Sequence, residues 1–153
     1  MNDLMDEGDR AWWYVCCSPM FPYPNYFRSY QGVGNRVLLW QQYMFDIEGI
    51  LYWAVNADWG KINKYEADAS DGQLLYWGEL YGLKGPIGSF RFLQVRESFD
   101  DFDYLKMAEE VAGREAVNKI LYTVTTASLE FTEDHTVMEA AREALAELIV
   151  NGK

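Results

Sequence analysis

Unbroken apolar runs alternate with helix-periodic segments along the first two thirds of the chain. Ala11–Cys17 and Gly49–Asn56 are continuous hydrophobic stretches, the second closing on a polar asparagine. Runs of this kind predict strands buried on both faces, as in a parallel sheet. Gln73–Trp77 predicts a shorter third strand. Asn35–Phe45 places Val37, Leu38, Trp40, Tyr43 and Met44 at helical spacing. Ser89 is a suitable N-cap for a long helix whose core stripe reads Phe92, Val95, Phe99, Phe102 and Leu105, with Gly113 as its stop. Val117, Ile120, Leu121 and Val124 predict another helix to about Ser128. Thr132 is placed to cap a last one, buried through Val137, Ala141, Ala144, Leu145 and Leu148. Asn2–Glu7 reads as the end of a helix stopped by Gly8.

The connections carry their own signals. Ser18–Gly32 holds Pro19, Pro22 and Pro24 among aromatics, and Gly78–Gly88 is rich in glycine. Strand, loop and helix therefore recur three times, followed by two helices. That order predicts an α/β fold with about three parallel strands, flanking helices and a C-terminal helical tail. A complete (β/α)8 barrel takes about 250 residues, and the chain has 153. The expected architecture is thus the C-terminal portion of a (β/α)8 TIM-type barrel. Its last three βα units would occupy residues 1–112, with helices of 113–153 packed on them in the same domain. Such a sheet has open edges, and open edges recruit partners. The expected protein partner is a second copy of the chain or a complementary N-terminal barrel half.

Composition narrows the function. Half of the residues are hydrophobic and 16% are aromatic, which excludes a disordered chain. The net charge is −11, from 24 acidic and 13 basic residues. A surface of that sign repels phosphate backbones and anionic lipid, so neither nucleic acid nor membrane is an expected partner. No signal peptide or transmembrane segment is evident, and the compartment stays open. Cys16 and Cys17 are adjacent. Neighbours in a strand point to opposite faces, so they read as buried strand thiols rather than a bonded pair or a metal motif. His135 is the lone histidine. No metal site, nucleophile triad, phosphate loop or dinucleotide fingerprint can be assembled, and no cofactor is expected.

Four segments occur in a specific order: WWYVCCSPMFPYPN, then NRVLLWQQYMFDIEGILYWAVN, then GQLLYWG, then GPIGSFRFLQVRESFDDFDYL. Together, over roughly Ala11 to Glu110, they resemble the C-terminal half of the glycoside hydrolase family 123 catalytic domain. The resemblance implies a (β/α)8-type barrel and β-N-acetylgalactosaminidase chemistry. It also implies a substrate-assisted mechanism, in which the sugar's own acetamido oxygen attacks the anomeric carbon. An adjacent Asp-Glu pair would orient that group and supply the general acid and base. The pair is expected on an earlier strand, upstream of this segment. Asp6-Glu7 lies at the wrong end of a strand for barrel chemistry, and Glu133-Asp134 is in reverse order, so no catalytic residue is assigned.

What remains is the wall of the barrel mouth, where strand ends and loops meet ligand. The candidate substrate-binding residues are Tyr14 and Asn25 in the first unit, Trp53, Asn56 and Trp59 in the second, and Tyr76 and Arg91 in the third. Pyranose rings offer an apolar face to aromatics and hydroxyls to polar side chains, although each ring also has an ordinary core role open to it. Arg96, Asp100 and Asp101 read as a structural ion-pair network, with Arg96 and Asp100 spaced to pair on one helix face. The resembling family also shows two arginines followed by acidic residues here, commonly with glycine at the position of Ser98. Three readings stand: an N-acetylhexosaminidase-type glycosidase lacking its catalytic pair, a non-catalytic carbohydrate-binding module, and an oligomerising half-barrel.

Overall fold

A computed structural model describes residues 8–57, 59 and 71–152. The expected helical stub at Asn2–Glu7, including the Asp6-Glu7 dipeptide, lies outside the described residues, as does most of the loop before Asp71.

The fold is mixed α/β. Its elements run β1 (Trp12–Val15), α1 (Gly32–Met44), β2 (Gly49–Tyr52), β3 (Leu75–Trp77), a 3-10 turn (Gly78–Tyr81), β4 (Pro86–Gly88), α2 (Phe90–Ala112), α3 (Arg114–Val124), β5 (Thr125–Ala127), β6 (Glu130–Phe131) and α4 (His135–Asn151). β1 and β2 pair in parallel, with Trp12 opposite Gly49 and Val15 opposite Tyr52. This is the parallel βαβ unit that the two apolar runs predict.

The third strand departs from expectation. β3 pairs antiparallel with β4, Leu75 opposite Gly88 and Trp77 opposite Pro86. The segment before it returns antiparallel along the extension of β2. Asn56 bridges Gln73, and the Leu75 amide donates to the Val55 carbonyl at 2.8 Å. Two parallel strands are present among the described residues, not three. The glycine-rich loop lets the chain fold straight back, and a local antiparallel return needs no crossover. Nor are β1 and β2 buried on both faces. Val15 is buried while Trp12 and Tyr14, on the opposite face, are exposed.

The centre of the molecule is α1. Every residue from Val33 to Tyr43 is buried, so the helix is enclosed on all sides. Val37, Trp40 and Tyr43 join Leu105 and Ala108 of α2, Val117, Leu121 and Val124 of α3, and Met138, Ala141 and Leu145 of α4 in one core. On its other flank Leu38 and Leu39 meet Val15, Tyr26 and Leu74 in a second core under the sheet.

The stripe that α2 buries is not the one its aromatics predict. Arg91, Ser98, Asp101, Leu105 and Ala108 are buried, while Phe92 and Phe99 are exposed. Only Leu105 belongs to both sets. Val95 and Phe102 pack half-buried against the second core. The buried set has coiled-coil-like spacing, and its charged members, Arg91 and Asp101, find partners outside the helix, which offsets the penalty for burying them. Ser98, fully buried, returns its hydroxyl to the Val95 carbonyl at 2.7 Å.

Ser89 caps α2 as expected, accepting the Phe92 amide at 3.1 Å, and Gly113 ends that helix at φ 82°. The next helix stops at Val124 rather than Ser128. Thr125 and Thr126, β-branched after Val124, enter a hairpin of β5 and β6 instead. The cap of α4 is Asp134, which accepts the Thr136 amide at 2.8 Å. Thr132 lies two residues earlier and accepts the Asp134 amide.

Candidate functional site

The carboxyl ends of β1 and β2 lie side by side, and the chain leaves them through Cys16-Cys17 and Trp53. The face of the sheet turned away from the helices carries Trp12, Tyr14, Leu51 and Trp53. These are 65%, 47%, 56% and 58% exposed. At the amino end of this face the Trp12 ring covers Gly49. A Cβ on Gly49 would stand 2.4 Å from that ring, so glycine is what lets the indole lie flat across the strand pair. At the carboxyl end Trp53 packs against Gly72, whose φ of +70° is a left-handed conformation.

Behind Trp53 sits a polar cluster. The Tyr52 hydroxyl accepts the Gly72 amide at 2.8 Å. Its ring meets Tyr26 edge-on at 5.0 Å. Burial pushes the Tyr52 phenol up to about 12. Asp71 lies beside this hydroxyl, the Gly72 and Cys17 amides and the Arg91 charge. Burial raises its pKa above the usual carboxylate range, although all four neighbours pull it down. Tyr14 is raised as well, by desolvation first and then by the neighbouring Cys16 thiol. A half-buried carboxylate with phenols and an exposed indole is equipped to accept hydroxyl hydrogen bonds beside an apolar platform.

The predicted residues divide between surface and scaffold. Tyr14 and Trp53 stand on the open face. Asn56 is exposed in the bridge to Gln73. Tyr76 is half-buried in the β3–β4 hairpin opposite Ile87. Trp59 donates its indole N–H to the Leu75 carbonyl at 3.0 Å, which ties the loop to β3. Asn25 is buried and directed inward: its amide donates to the Cys16 and Pro19 carbonyls at 2.9 and 3.0 Å, and its oxygen accepts the Tyr26 amide. Arg91 is also buried. One of its terminal nitrogens donates to the Tyr26 carbonyl at 2.7 Å and the other to the Gln73 carbonyl. Both hold the loops that carry the open face.

The expected ion-pair network is real in part and differently wired. Asp101 is fully buried, and its carboxylate accepts from Arg36 Nε at 2.5 Å, Arg36 Nη2 at 2.9 Å, Trp40 Nε1 at 2.9 Å and Arg142 Nε at 2.5 Å. Glu139 takes another Arg36 nitrogen, and Glu97 takes Arg142 Nη1 at 2.9 Å. Arg96 turns to Glu97 at 3.0 Å instead of Asp100, and Asp100 is exposed. Burial lowers the pKa of Arg36, but the hydrogen bonds and charges of Asp101 and Glu139 outweigh it, and the net direction is up. This network clamps α1, α2 and α4. It lies on the helix side, away from the strand ends.

Several of these residues carry no sequence signal. Arg142 lies in the generic helical tail, and Asp71 is one acidic residue in a polar loop. Arg36 does have one: it precedes Trp40 by one helical turn, so a charge and an indole N–H share a face of a helix with no other charged residue. The cysteines also correct their reading. β1 ends at Val15, so strand alternation does not govern them. Cys17 is exposed and Cys16 half-exposed, with their sulfurs 3.8 Å apart.

A cleft of about 350 Å³ between β1 and α1, lined by Trp13, Val15, Leu38, Phe45 and Ile47, is almost wholly apolar. It adjoins the edge of β1 that no described strand pairs with, and Asp71 and Tyr52 are not in its lining. Among the described residues no three His, Cys, Asp or Glu side chains converge as a metal site. No helix there is long and apolar enough to cross a membrane.

No curated protein matches the chain. The family model described as the glycoside hydrolase 123 catalytic domain matches residues 1–108, a span that takes in the parallel strand pair, the open aromatic face, the Asp71 cluster and all but the end of α2. On that match the chain belongs to the glycoside hydrolase 123 catalytic-domain family.

Proposed function

We propose that the chain supplies the sugar-binding wall of a β-N-acetylhexosaminidase-type domain. In this reading it binds an N-acetylhexosaminide, of the β-N-acetylgalactosaminide kind, without hydrolysing it. The observation that carries it is the exposed face ending in Trp53 and Tyr14, with Asp71 at the carboxyl end of the strands. Open apolar surface rimmed by polar groups marks a binding site. An indole beside a carboxylate suits a pyranose, whose apolar face stacks while its hydroxyls donate.

The substrate-assisted mechanism of the family needs an adjacent Asp-Glu pair, and no described residue at the strand ends supplies one. Asp71 stands alone there among the described residues. The test has two arms. Titration with N-acetylgalactosamine should change tryptophan fluorescence, and Trp53→Ala should abolish the change. Silence toward every N-acetylhexosamine would sink the reading. An aryl N-acetyl-β-galactosaminide should not be turned over. Turnover would overturn the non-catalytic reading, and its loss in Asp6→Asn or Glu7→Gln would identify that dipeptide as the missing pair.

A second reading is favoured by one observation, an edge of β1 that no described strand pairs with, beside Trp12 and the apolar cleft. Here the chain is a half-barrel that docks on a complementary N-terminal half or on a second copy. Trp12 marks the amino end of the open face and Trp53 the carboxyl end, so one face has room for both roles. Sizing chromatography checks it, and a clean monomer that ignores a complementary half would contradict it.

A further inference from the structure

The two cysteines at the end of β1 have a geometry that no sugar-binding role requires. Their sulfurs are 3.8 Å apart on one side of the chain. The peptide that joins them is held from both directions. Its carbonyl, that of Cys16, accepts the buried Asn25 amide at 2.9 Å, and its N–H, that of Cys17, faces the Asp71 carboxylate. The Cys16 amide donates to the Ser18 carbonyl at 3.0 Å. Asn25 is itself anchored, its carbonyl accepting from Asn35 of α1 at 2.7 Å. The fold thus fixes the backbone that turns both thiols the same way. Cys17 is exposed to reagents, and the chain has no other cysteine.

We propose that Cys16 and Cys17 are a reversible two-electron redox site that closes to a vicinal disulfide at the carboxyl end of β1, with small-molecule disulfides as the oxidant class. The thiolate of Cys17 attacks one sulfur of the oxidant, and the first thiolate leaves and takes up a proton. The resulting mixed disulfide is attacked at the Cys17 sulfur by Cys16. The Cys16–Cys17 bond forms, the bond to the reagent breaks, and a second thiol is released. Two protein thiols are oxidised and one external disulfide is reduced to two thiols.

Two physical points make this a switch rather than a permanent bridge. Adjacent Cα atoms are about 3.8 Å apart, shorter than the usual span of roughly 4.4–6.8 Å across a disulfide, so the ring is strained and readily reduced. The Cys17 thiol is also held above its ordinary pKa, by its hydrogen bond with Cys16, by that neighbour's charge, by burial and by Asp71. A raised thiol pKa slows its attack on a disulfide. The inference does not depend on which sugar, if any, the open face binds.

The test uses the whole chain treated with oxidised glutathione. Both thiols should become inert to alkylation, the intact mass should fall by two hydrogens, and the protein should stay monomeric on a non-reducing gel. Dithiothreitol should restore both thiols. Cys16→Ser should instead retain the glutathione adduct on Cys17 that the wild type resolves. The reduced wild type should bind phenylarsine oxide one to one, which either serine variant should lose. A stable glutathione adduct on the wild type, or an intermolecular dimer, would overturn the proposal. Closure should also be several-fold slower in denaturant than in the folded protein; an equal or faster rate there would mean that the fold does not poise the pair.

Discussion

Arg142 Nε lies 2.5 Å from Asp101 Oδ1, while Arg36 Nε lies 2.5 Å from Asp101 Oδ2. One buried carboxylate thus joins a residue of the first helix to a residue of the last, through a helix whose aromatics suggest a different inward face. A single aspartate between two guanidiniums, with an indole N–H as a further donor, is satisfied in every direction, and its removal leaves two cations without their shared partner.

Asp101→Asn should therefore destabilise the fold by about 3–5 kcal/mol, the cost of breaking a buried ion pair, because Arg36 and Arg142 then keep only the more exposed carboxylates of Glu139 and Glu97. Urea unfolding gives the number. Replacing Arg36, Asp101 and Arg142 together by apolar residues of similar volume should cost much less, because the ions then need no solvation. A loss in the triple variant as large as in Asp101→Asn would contradict this account of the cluster.

Acid should weaken the same clamp. The hydrogen bond from Arg142, and then that from Arg96, hold Glu97 below the usual carboxylate range. A carboxylate with a lowered folded pKa contributes stability that is complete above its unfolded value, about 4.5, and drains away as pH falls toward the folded value. Stability measured across acidic pH should fall less steeply in Glu97→Gln. A residual slope should remain, because the hydrogen bond from Lys106 likewise lowers Glu109.

At the other extreme, burial raises Tyr52 from 10.0 to about 12. Its neutral form is the folded one. The contribution is full below pH 10 and is lost as pH rises toward 12, since the unfolded phenol ionises first. Tyr26, pressed edge-on against it, is raised further by its own burial. Alkaline titration followed by tyrosinate absorbance should show a late step tied to unfolding, and Tyr52→Phe should reduce its amplitude.

Gly72 should tolerate no side chain. Its φ of +70° disfavours any L residue, by about 1–2 kcal/mol. A Cβ would also meet Ala57 at 2.7 Å and Trp53 at 2.9 Å. Gly72→Ala should lower the unfolding midpoint and shift tryptophan emission, because Trp53 must move. If Trp53 is a sugar platform, the same variant should weaken N-acetylgalactosamine binding.

Much of the fold was legible in the chain. The apolar runs at Ala11–Cys17 and Gly49–Asn56 marked the parallel pair, which the structure forms over their Trp12–Val15 and Gly49–Tyr52 portions, and the interval between them marked α1, because continuous hydrophobicity and helical spacing are local properties. Ser89 and Gly113 bounded α2 for the same reason, since a cap depends on the few residues beside it. The family was legible too, from four segments in order. Of the binding candidates, Trp53 and Tyr14 stand at the strand ends on the open face, whereas Asn25, Arg91 and Trp59 turned out to brace the loops behind it. A polar residue ending an apolar run shows that it needs a partner, but not whether that partner is ligand or backbone.

Local sequence by itself determined the two ends of α2, the first two strands, the presence of the four helices and the family to which they belong. Only the tertiary structure decided which way β3 pairs, which face α2 buries and where the charges meet. Those outcomes depend on contacts between residues far apart in the chain: Val55 with Leu75, and Arg36 and Arg142 with Asp101. In α2, four hydrogen bonds to one buried carboxylate outweighed the burial of Phe92 and Phe99. No helical periodicity within α2 could register that, because the partners lie on α1 and α4.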